Sequence, residues 1–532
     1  MVVLFKKRKQ TKKLAIGKDV APFSEGGKAD SDAILSASLD ETAAGIKQVL
    51  GNNDDLVMKD FKVFGQYEAA IFYFSNLVKQ DSINHDILKP LMYVPDHLKD
   101  RNRPLSQLAD MIIKETLYHS QAQPERSMEK LIEFILCGET VLIIDGIKEA
   151  IRIGTRNVEK RSISQPETEQ IILGPREGFI ENIQTNLALL RYRLPTPDFQ
   201  VKTMKIGHLN KSTTAYCYLK GIASETVVQE VEKRLSEIDI DAIMDVGYLE
   251  QFIEDNPFSP FPQIQSTERP DKTVANLAEG RVAIFVDGSP FALLVPVVFN
   301  QFYQTTEDYS SRFLMGSFVR MARMLALVFS LIFPALYVSF ISFNPELLPT
   351  EFAIAVAGGR AGVPYPAVVE VLIIEVAMEV LREATVRLPK QVGGALSIVG
   401  VLVVGQAAVE AGLASPITVV AIALTTIGSF ATPAYSAAFA LRMLRFPIMI
   451  LAGIFGLYGV VIGIIFIFNH MLSLRSFGVP YMSPISPENY QGMKDVIFRA
   501  PLWLMPKRPA FLHPANRSRL NKNIKRSEFG KE

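Results

Sequence analysis

Acidic side chains interrupt an apolar stretch in the last third of the chain. The stretch "YPAVVEVLIIEVAMEVLREATVRLPK" begins at Tyr365, and its residues Glu375, Glu379 and Glu383 stand four positions apart. That spacing places them on one face of a helix. A carboxylate that faces lipid costs several kcal/mol, so this face must contact water, a partner helix or a polar cavity. Two arrangements remain open, an interfacial helix or a span whose acidic face points into a bundle, and burial within an assembly is favoured. The expected partners are two arginines of the same stretch, Arg382 and Arg387.

A second polar pattern lies in the apolar run that begins at Gly393. On a helical wheel one face carries Val399, Val403, Gln406 and Glu410, and small residues occupy the adjacent flank. In a ring of copies this face would present two apolar layers, an amide layer and an acidic layer. Apolar constrictions gate by dewetting and acidic rings select cations, so the pattern is typical of a pore. The alternative is a packing helix whose amide and carboxylate pair with a neighbour.

The third pattern is a repeat. "GETVLIIDG", Gly138 to Gly146, is echoed by "GRVAIFVDG", Gly280 to Gly288, and each copy follows a helical pattern. Each copy indicates a buried strand that enters a tight turn, where glycine tolerates positive φ and aspartate bonds its own backbone. This interpretation of Asp145-Gly146 and Asp287-Gly288 is favoured over a pair of catalytic carboxylates. The repeat predicts two tandem α/β units whose Asp-Gly strands hold equivalent positions.

The sequence "ERPD" precedes the second copy and contains Arg269 and Asp271. Pro270 fixes the backbone between them, so both side chains project from a stiff element. Asp271 is expected to cap a helix that starts near Thr273. A cap or a salt bridge between subdomains is the favoured role, and a ligand contact is the alternative.

The composition excludes several classes of function. The chain has 532 residues with 56 basic and 55 acidic side chains, which gives no reason to expect a nucleic-acid partner. The two cysteines and six histidines show no disulfide or metal-ligand spacing. The nucleotide-binding, zinc-protease and serine-hydrolase motifs are missing. The sequence therefore predicts a protein that is not an enzyme and that holds no cofactor or metal.

Hydropathy divides the chain into regions. Residues 1–35 form a basic, polar N-terminus that is expected to be disordered, 36–160 and 161–290 are the two α/β subdomains, and 476–532 form a polar, basic tail. Residues 291–475 are the membrane domain, because four long apolar runs crowd into this third of the chain. The expected spans are about 322–343, 393–412, 416–440 and 447–469, with an ambiguous acidic segment at 365–388.

The number of membrane crossings stays open. Basic ends on the cytoplasmic side require an even count, hence four spans with the acidic segment not crossing. This count places Arg442 and Arg445 in an external connection. A count of five places those arginines inside but exports the basic tail.

Several longer motifs resemble one known family, the A subunits of GerA-type spore germinant receptors. They are "GPREGFIENIQTNLALLRYRL" from Gly174, "ERPDKTVANLAEGRVAIFVDGSPFALLVP" from Glu268, "NPELLPTEF" from Asn344, and the long run from Pro364 to Pro416. The resemblance extends from about residue 35 to 505, and the motifs follow one another in the same order as in the family. The resemblance implies an α+β/α membrane protein, with a cytoplasmic N-terminal domain of two tandem α/β subdomains followed by an all-α polytopic membrane domain.

The resemblance also implies partners and a place in the cell. The family's A subunit acts with a transporter-like B subunit and a lipoprotein C subunit in the inner spore membrane, in contact with membrane lipid. It is thought to form a homo-oligomeric ring that conducts ions when nutrient binds. The competing hypothesis is a solute transporter or permease component. Transporters tend to repeat their membrane half, whereas the repeat found here lies in the soluble half.

Overall fold

The computed structural model of the chain describes residues 35–51, 53–93, 105–157, 165–386, 405–487 and 492–519. Two sheet-containing subdomains make up the first half, and a bundle of apolar helices follows. The expected disordered N-terminus lies outside the described residues apart from its last position.

The two sheets share one strand order. The first contains β1 (Leu56–Val63), β2 (Tyr67–Phe74), β3 (Ala122–Glu125), β4 (Thr140–Ile144) and β5 (Ala150–Ile153), in the order β1-β2-β4-β5-β3. The second contains β6 (Phe199–Ile206), β7 (Ser212–Leu219), β8 (Gln265–Thr267), β9 (Val282–Val286) and β10 (Ala292–Val295), in the order β6-β7-β9-β10-β8. Neighbouring strands are antiparallel in both sheets. The Asp-Gly strands β4 and β9 are central in their sheets, as the repeat predicts.

Helices cover both faces of each sheet. In the first subdomain α1 (Leu39–Leu50) and α2 (Met128–Leu136) pack on one face, and short helical segments within 80–92 and 105–116 pack on the other. In the second, α3 (Ile183–Arg193) and α6 (Pro270–Glu279) pack on the equivalent face, with α4 (Glu225–Ser236) and α5 (Val246–Ile253) opposite. Because both faces are covered, every residue of β4 and β9 is buried. These strands are therefore continuously apolar instead of alternating.

Two details of the sequence interpretation change. The repeat extends upstream to two similar motifs, "YFSNLV" from Tyr73 and "YLKGIA" from Tyr218, whose pattern predicts the start of a helix in each copy. In the structure Tyr73 and Tyr218 instead lie at the end of the second strand of each sheet, β2 and β7. The second subdomain also extends past residue 290, because β10 at Ala292–Val295 bonds both β9 and β8. The sequence of β10 did not show where the second subdomain ends and the expected membrane domain begins, because a buried strand and a membrane segment are both apolar.

One buried arginine joins the two subdomains. Arg191 of α3 donates through Nε and Nη2 to the Asp55 carboxylate at 2.5 Å and 2.6 Å, and its Nη2 also contacts Asn53 Oδ1 at 3.1 Å. Its guanidinium lies 3.8 Å from the centre of the Phe74 ring. Asn53 Oδ1 in turn accepts from the backbone N–H of Val201 in the second sheet. The subdomains are thus connected through desolvated, charge-assisted hydrogen bonds.

The helical half contains α7 (Phe313–Ser342), α8 (Thr350–Arg360), α9 (Ala367–Val386), α10 (Pro416–Ser429), α11 (Tyr435–Phe455) and α12 (Leu457–Ser473). A further short helix occupies 405–410. Among the described residues, α7 and α11 are long and apolar enough to cross a membrane, and α10 and α12 are shorter apolar helices.

Contacts along the helices give their directions. The end of α7 meets the α11–α12 turn far from the sheets, where Phe343 lies against Gly456. Tyr337 bonds Thr418 at the start of α10, whereas Gly428 near its end lies against Ala326. Hence α7 and α11 run away from the α/β half, and α9, α10 and α12 run back toward it. At the end of α12, His470 contacts Ser259 of the second subdomain at 2.9 Å.

Two of the predicted apolar spans have different boundaries in the structure. The segment expected at 416–440 is two helices, because α10 ends at Ser429 and α11 begins at Tyr435. Pro447, the expected start of the last span, lies inside α11, and the chain reverses at Gly456 instead. Gly456 has a φ of 59°, and a Cβ at Gly459 would lie 2.0 Å from the Leu451 carbonyl oxygen. Glycine therefore permits an abrupt turn between closely packed helices, which hydropathy could not locate.

The C-terminal segment is folded onto the protein. The strands β11 (Arg475–Ser476) and β12 (Val479–Pro480) pair, and Tyr481 is fully buried beside Phe299 and Phe302. Further on, the Ala515 N–H donates to the carbonyl oxygen of Ile222 in the second subdomain. The polar tail expected over 476–532 is thus an ordered segment as far as Arg519. Arg499, Arg508 and Arg519 donate to carbonyl or carboxylate oxygens of the fold, so a polar composition did not indicate a free tail.

Candidate functional site: charged pairs of the helical bundle

The acidic residues of α9 pair with arginines of α11. Because the two helices are antiparallel, Glu375 meets Arg445 with Nη1–oxygen distances of 2.8 Å and 3.0 Å, and Glu379 Oε1 meets Arg442 Nε at 3.2 Å. Arg442, Arg445 and Glu375 are all buried. The acidic face therefore points into the bundle, one of the two arrangements left open by the sequence.

Of the two expected partners, Arg382 takes part only through a longer contact, and the closer contacts come from α11. Arg382 contacts Glu379 only at 3.5 Å, one turn along the same helix, and donates to Ser429 Oγ at 3.3 Å. Glu383 lies on an exposed part of α9, and Arg387 lies outside the described residues. The sequence alone placed Arg442 and Arg445 in a loop because the helix boundary was misassigned. Their i, i+3 spacing places both arginines on one helix face, as the i, i+4 spacing does for the acidic residues, and this was the available signal.

A separate pair stands at the opposite end of α9. The carboxylate of Glu370 is fully buried, and it accepts from Arg360 Nε at 3.0 Å and from the Ser415 N–H at 2.6 Å. Ser415 is the N-cap of α10, and its Oγ accepts from the Thr418 N–H. Glu370 thus ties α8, α9 and the start of α10 together, away from the face formed by the other glutamates.

The two described residues of the expected pore face lie on the helix at 405–410. Gln406 Nε2 donates to Glu410 Oε1 at 2.9 Å, and both side chains are exposed. Ala408 on the other side of this helix is buried among bundle residues. The pair thus forms within one helix, so the alternative of pairing with a neighbouring helix is not observed in the single chain. Val399 and Val403 lie outside the described residues.

The Asp-Gly turns hold the first helix of each repeat. Asp145 Oδ1 accepts from the Leu39 N–H at 3.0 Å, and Asp287 Oδ1 accepts from the Ile183 N–H at 3.2 Å. Gly146 and Gly288 have φ of 83° and 92°, and their N–H groups donate to Ala37 and Glu181 carbonyls, respectively. Both aspartates therefore make structural hydrogen bonds to a helix N-terminus. The bonded partner is the N-terminus of α1 or α3, however, and not the aspartate's own backbone, because the sheet brings a distant helix to the turn.

Arg269 and Asp271 have a structural role as well. Their side chains form an ion pair at 2.9 Å, and Arg269 also donates to the carbonyl oxygens of Pro175 and Glu169. Helix α6 begins at Pro270, so Asp271 lies in its first turn and does not cap a helix at Thr273. Burial alone would raise the pKa of the Glu169 carboxyl, but Lys272 beside it holds that pKa below its usual value. The group fastens the connection between the subdomains onto α6.

A charged junction that the sequence did not indicate joins the two halves. Arg320 on the first turns of α7 is almost fully buried and contacts Asp308 at 3.1 Å and Asp495 at 2.8 Å. Arg323 contacts the same Asp308, and Tyr309 donates to Asp495 at 2.7 Å. Burial raises the pKa of the Asp495 carboxyl against the opposing effect of Arg320. The junction connects the α/β half, α7 and the C-terminal segment, which lie far apart in the sequence.

No group of three or more His, Cys, Asp or Glu side chains suited to a metal ion occurs in the part of the chain that the structure describes. The chemistry of the site is therefore that of ion pairs and helix packing. The protein thus has two parts. A duplicated α/β half is joined through buried charges to an apolar helical bundle, and this bundle has its own paired charges.

Comparison with known proteins identifies the family. Residues 44–511 match the family described as Bacillus/Clostridium GerA spore germination protein, and the chain belongs to this family of spore germination A subunits. It is 42% identical over 492 residues to spore germination protein KA of Bacillus subtilis, covering 92% of this chain and 89% of that protein. It is 36% identical over 479 residues to spore germination protein GerLA of Bacillus cereus, covering 90% and 96%.

Two further similarities are to a relative named as a membrane protein and to a solved structure. The chain is 40% identical over 481 residues to a protein of Bacillus subtilis named uncharacterized membrane protein YfkQ, covering 90% of this chain and 92% of that protein. A solved structure, the N-terminal domain of the A subunit of the Bacillus megaterium spore germinant receptor GerK3, is 35% identical. The match covers 50% of this chain and 98% of that domain, with a TM-score of 0.39.

Proposed function

We propose that this protein is the A subunit of a nutrient germinant receptor in the inner membrane of the spore. It works with a transporter-like B subunit and a lipoprotein C subunit, and it converts nutrient binding into ion release as a ring-shaped channel without enzymatic activity. Membership in the GerA family supports the role in germination. The relative named as a membrane protein and the apolar helices of the bundle support placement in a membrane.

The observation that carries the channel proposal is the exposed pair Gln406–Glu410. Polar groups of a membrane helix normally face a protein interior or a water-filled cavity. Glu370 and Glu375 follow this rule, because both are buried against arginines. Among the described residues Gln406 and Glu410 bond each other and contact no arginine, and a ring of copies would place them around water. In this arrangement Val399 and Val403 form the apolar constriction and Glu410 the cation-selecting layer.

The proposed topology has both chain ends on the cytoplasmic side with six crossings. Five follow α7, α9, α10, α11 and α12, and the sixth connects the end of α9, near the α/β half, with Gly412 at the far end of the bundle. This proposal accommodates the acidic helix, because Glu375 and Glu379 pair with arginines of α11 and Glu370 pairs with Arg360 of α8. It differs from the counts of four and five crossings, which assumed that Arg442 and Arg445 lie in a connection.

Conduction by the purified receptor tests the proposal. Recording in planar bilayers should show nutrient-dependent, cation-selective currents, and Val403→Ala should raise the current without nutrient because a wider constriction is wetter. Glu410→Gln should lower cation preference with little effect on closure. Glu351→Gln, a charge removal on the exposed first turn of α8, serves as the matched control. Unchanged selectivity in Glu410→Gln together with a tight Val403→Ala channel would remove this helix from the pore.

A further inference from the structure

A cavity lies between the second subdomain and the C-terminal segment. It has a volume of about 350 Å³, and its walls come from 279–304 on one side and 484–519 on the other. Protein pockets that hold small molecules begin at about this size. The cavity is far from the charged pairs of α9 and α11 in the bundle, and the proposed channel does not use it.

The cavity wall has a surplus of positive charge. Glu279 is shared by two arginines, because it contacts Arg281 and, at 2.6 Å, Arg519. Arg508 is buried and donates only to carbonyl oxygens among its recorded bonds, those of Ala278 at 2.7 Å, Asn516 at 3.1 Å and Ser518. The other carboxylate of the wall, Asp495, is already occupied by Arg320. Three guanidiniums thus share one carboxylate.

The titration behaviour of these groups agrees with the geometry. Burial, together with the charge of the neighbouring Arg519, lowers the pKa of the Arg508 guanidinium. Burial would raise the pKa of the Glu279 carboxyl, but Arg281 and Arg519 hold it below its usual value. Arginine does not give up its proton at physiological pH, so the positive charge remains and favours an anion. Lys494 and Lys507 add two exposed ammonium groups at the rim.

Two buried amides complete the wall. Asn300 and Gln301 are 5% and 6% exposed, and within the described residues Asn300 Oδ1 and Gln301 Oε1 have no hydrogen-bond partner. A buried polar atom without a partner costs about 1–3 kcal/mol, so it indicates a group that a ligand would satisfy. Hydroxyl groups are suitable donors to both oxygens. The wall therefore offers cations for an anionic group and acceptors for hydroxyls.

The mouth of the cavity is next to an apolar patch. Leu504 lines the cavity, and Leu504, Leu502 and Trp503 are 49%, 49% and 61% exposed. The Trp503 ring packs against Phe313 at the first residue of α7, with ring centres 6.3 Å apart. Tryptophan beside the end of an apolar helix is typical of the membrane–water interface. A ligand in the cavity could thus be free in the cytoplasm or be the headgroup of a lipid.

We propose that this cavity binds a hydroxyl-bearing phosphate ester, with the phosphate on Arg508, Arg281 and Arg519 and the hydroxyls on Asn300 and Gln301. Phosphate suits these residues because a guanidinium presents a fork of donors to its oxygens. Because the ligand would contact the second subdomain and the C-terminal segment together, binding would hold the C-terminal segment in place.

Binding by the purified full-length chain in detergent tests the proposal, and no ion conduction is needed. The probes are glycerol 3-phosphate and inorganic phosphate by calorimetry, and nanodiscs of phosphatidylglycerol or phosphatidylcholine by thermal unfolding. Lys494→Ala/Lys507→Ala is the main variant, because both side chains are exposed and their loss leaves the fold intact. Asn300→Leu removes a hydroxyl acceptor. Lys59→Ala, an exposed lysine on β1 of the first subdomain, is the matched control.

The expected result is saturable binding that weakens about tenfold in the double lysine variant and is unchanged in Lys59→Ala. Asn300→Leu should reduce the preference for glycerol 3-phosphate over inorganic phosphate. Binding of the soluble ester supports a free ligand, whereas stabilisation by phosphatidylglycerol alone, lost in the double variant, supports a lipid headgroup. The proposal is overturned if neither glycerol 3-phosphate nor phosphatidylglycerol binds. It is also overturned if the double lysine variant binds as well as the unaltered chain. A channel that conducts normally without this binding would leave the proposed function intact.

Discussion

The pair Glu375–Arg445 offers the sharpest test of how the bundle is held together. Both side chains are nearly inaccessible, at 4% and 3% exposure, and their closest contact is 2.8 Å. Two unit charges about 4 Å apart attract by about 4 kcal/mol at an effective dielectric constant of about 20. Burying the two ions costs several kcal/mol each, so the intact pair contributes little net stability. Removing one partner, however, leaves the other charge buried and unpaired.

We therefore expect a non-additive double-mutant cycle. Arg445→Met alone should lower the free energy of unfolding by about 3–5 kcal/mol, because Glu375 loses its ion partner. Glu375→Gln should have a smaller effect in the same direction, since the amide oxygen of glutamine can still accept a hydrogen bond from the Arg445 guanidinium. In Glu375→Gln/Arg445→Met the loss should be smaller than the sum of the two single losses by about 2–3 kcal/mol, which is the coupling energy of the pair. The measurement is dodecyl sulfate titration of the full chain in mixed micelles.

The first sheet supplies a matched control. Lys62 and Glu68 form a salt bridge at 2.7 Å with side chains 58% and 57% exposed. Exposed pairs contribute about 0–1 kcal/mol, so the equivalent cycle with Lys62→Met and Glu68→Gln should be nearly flat. If the buried cycle is additive within about 0.5 kcal/mol, the two side chains do not interact in the folded protein. The antiparallel packing of α9 against α11 would then be wrong.

Four other predictions rest on separate parts of the molecule. Asp145→Ala and Asp287→Ala should each lower the free energy of unfolding by about 1 kcal/mol, because each aspartate accepts from the first N–H of a helix; equal losses in urea titrations support the structural duplication, and an effect on one side only contradicts it. Arg191→Met should cost about 3 kcal/mol and expose the subdomain junction to proteolysis, because Asp55 stays buried without its partner; unchanged cleavage would show that the junction does not depend on this pair. Burial, with the charges of Glu254 and Asp245, raises the pKa of Glu250 to about 7. The folded state therefore holds an extra proton, and the free energy of unfolding should fall as the pH rises from about 4.5 toward 7. In thermal scans Glu250→Gln should flatten this fall, and a pH profile identical to that of the unaltered chain would refute the prediction. Spores that carry Val403→Ala should germinate spontaneously or at lower nutrient, because the constriction is wider; spores that stay dormant and need unchanged nutrient would contradict the proposed gate.

The duplication of the α/β half was predictable from the sequence. The Asp-Gly strand is specified locally, because an apolar run must be buried and the Asp-Gly turn that follows requires a residue that tolerates positive φ. Two copies in step, each after an amphipathic helix, thus indicated two α/β units. The acidic face of α9 was predictable for the same reason, since a spacing of four residues fixes which side chains share a helix face whatever surrounds it.

Partners and boundaries depended on the tertiary structure. Hydropathy reports how apolar a stretch is but not where the chain turns. The predicted span 447–469 therefore continued past the turn at Gly456, and Arg442 and Arg445 were placed in a loop. Only the antiparallel contact of α9 with α11 brings these arginines to Glu379 and Glu375, some 63 and 70 positions away in the chain. The cavity behind Arg508 is likewise made by two segments about 200 residues apart. Composition and periodicity act over neighbouring residues, whereas ion pairs and cavities form between segments that only folding brings together.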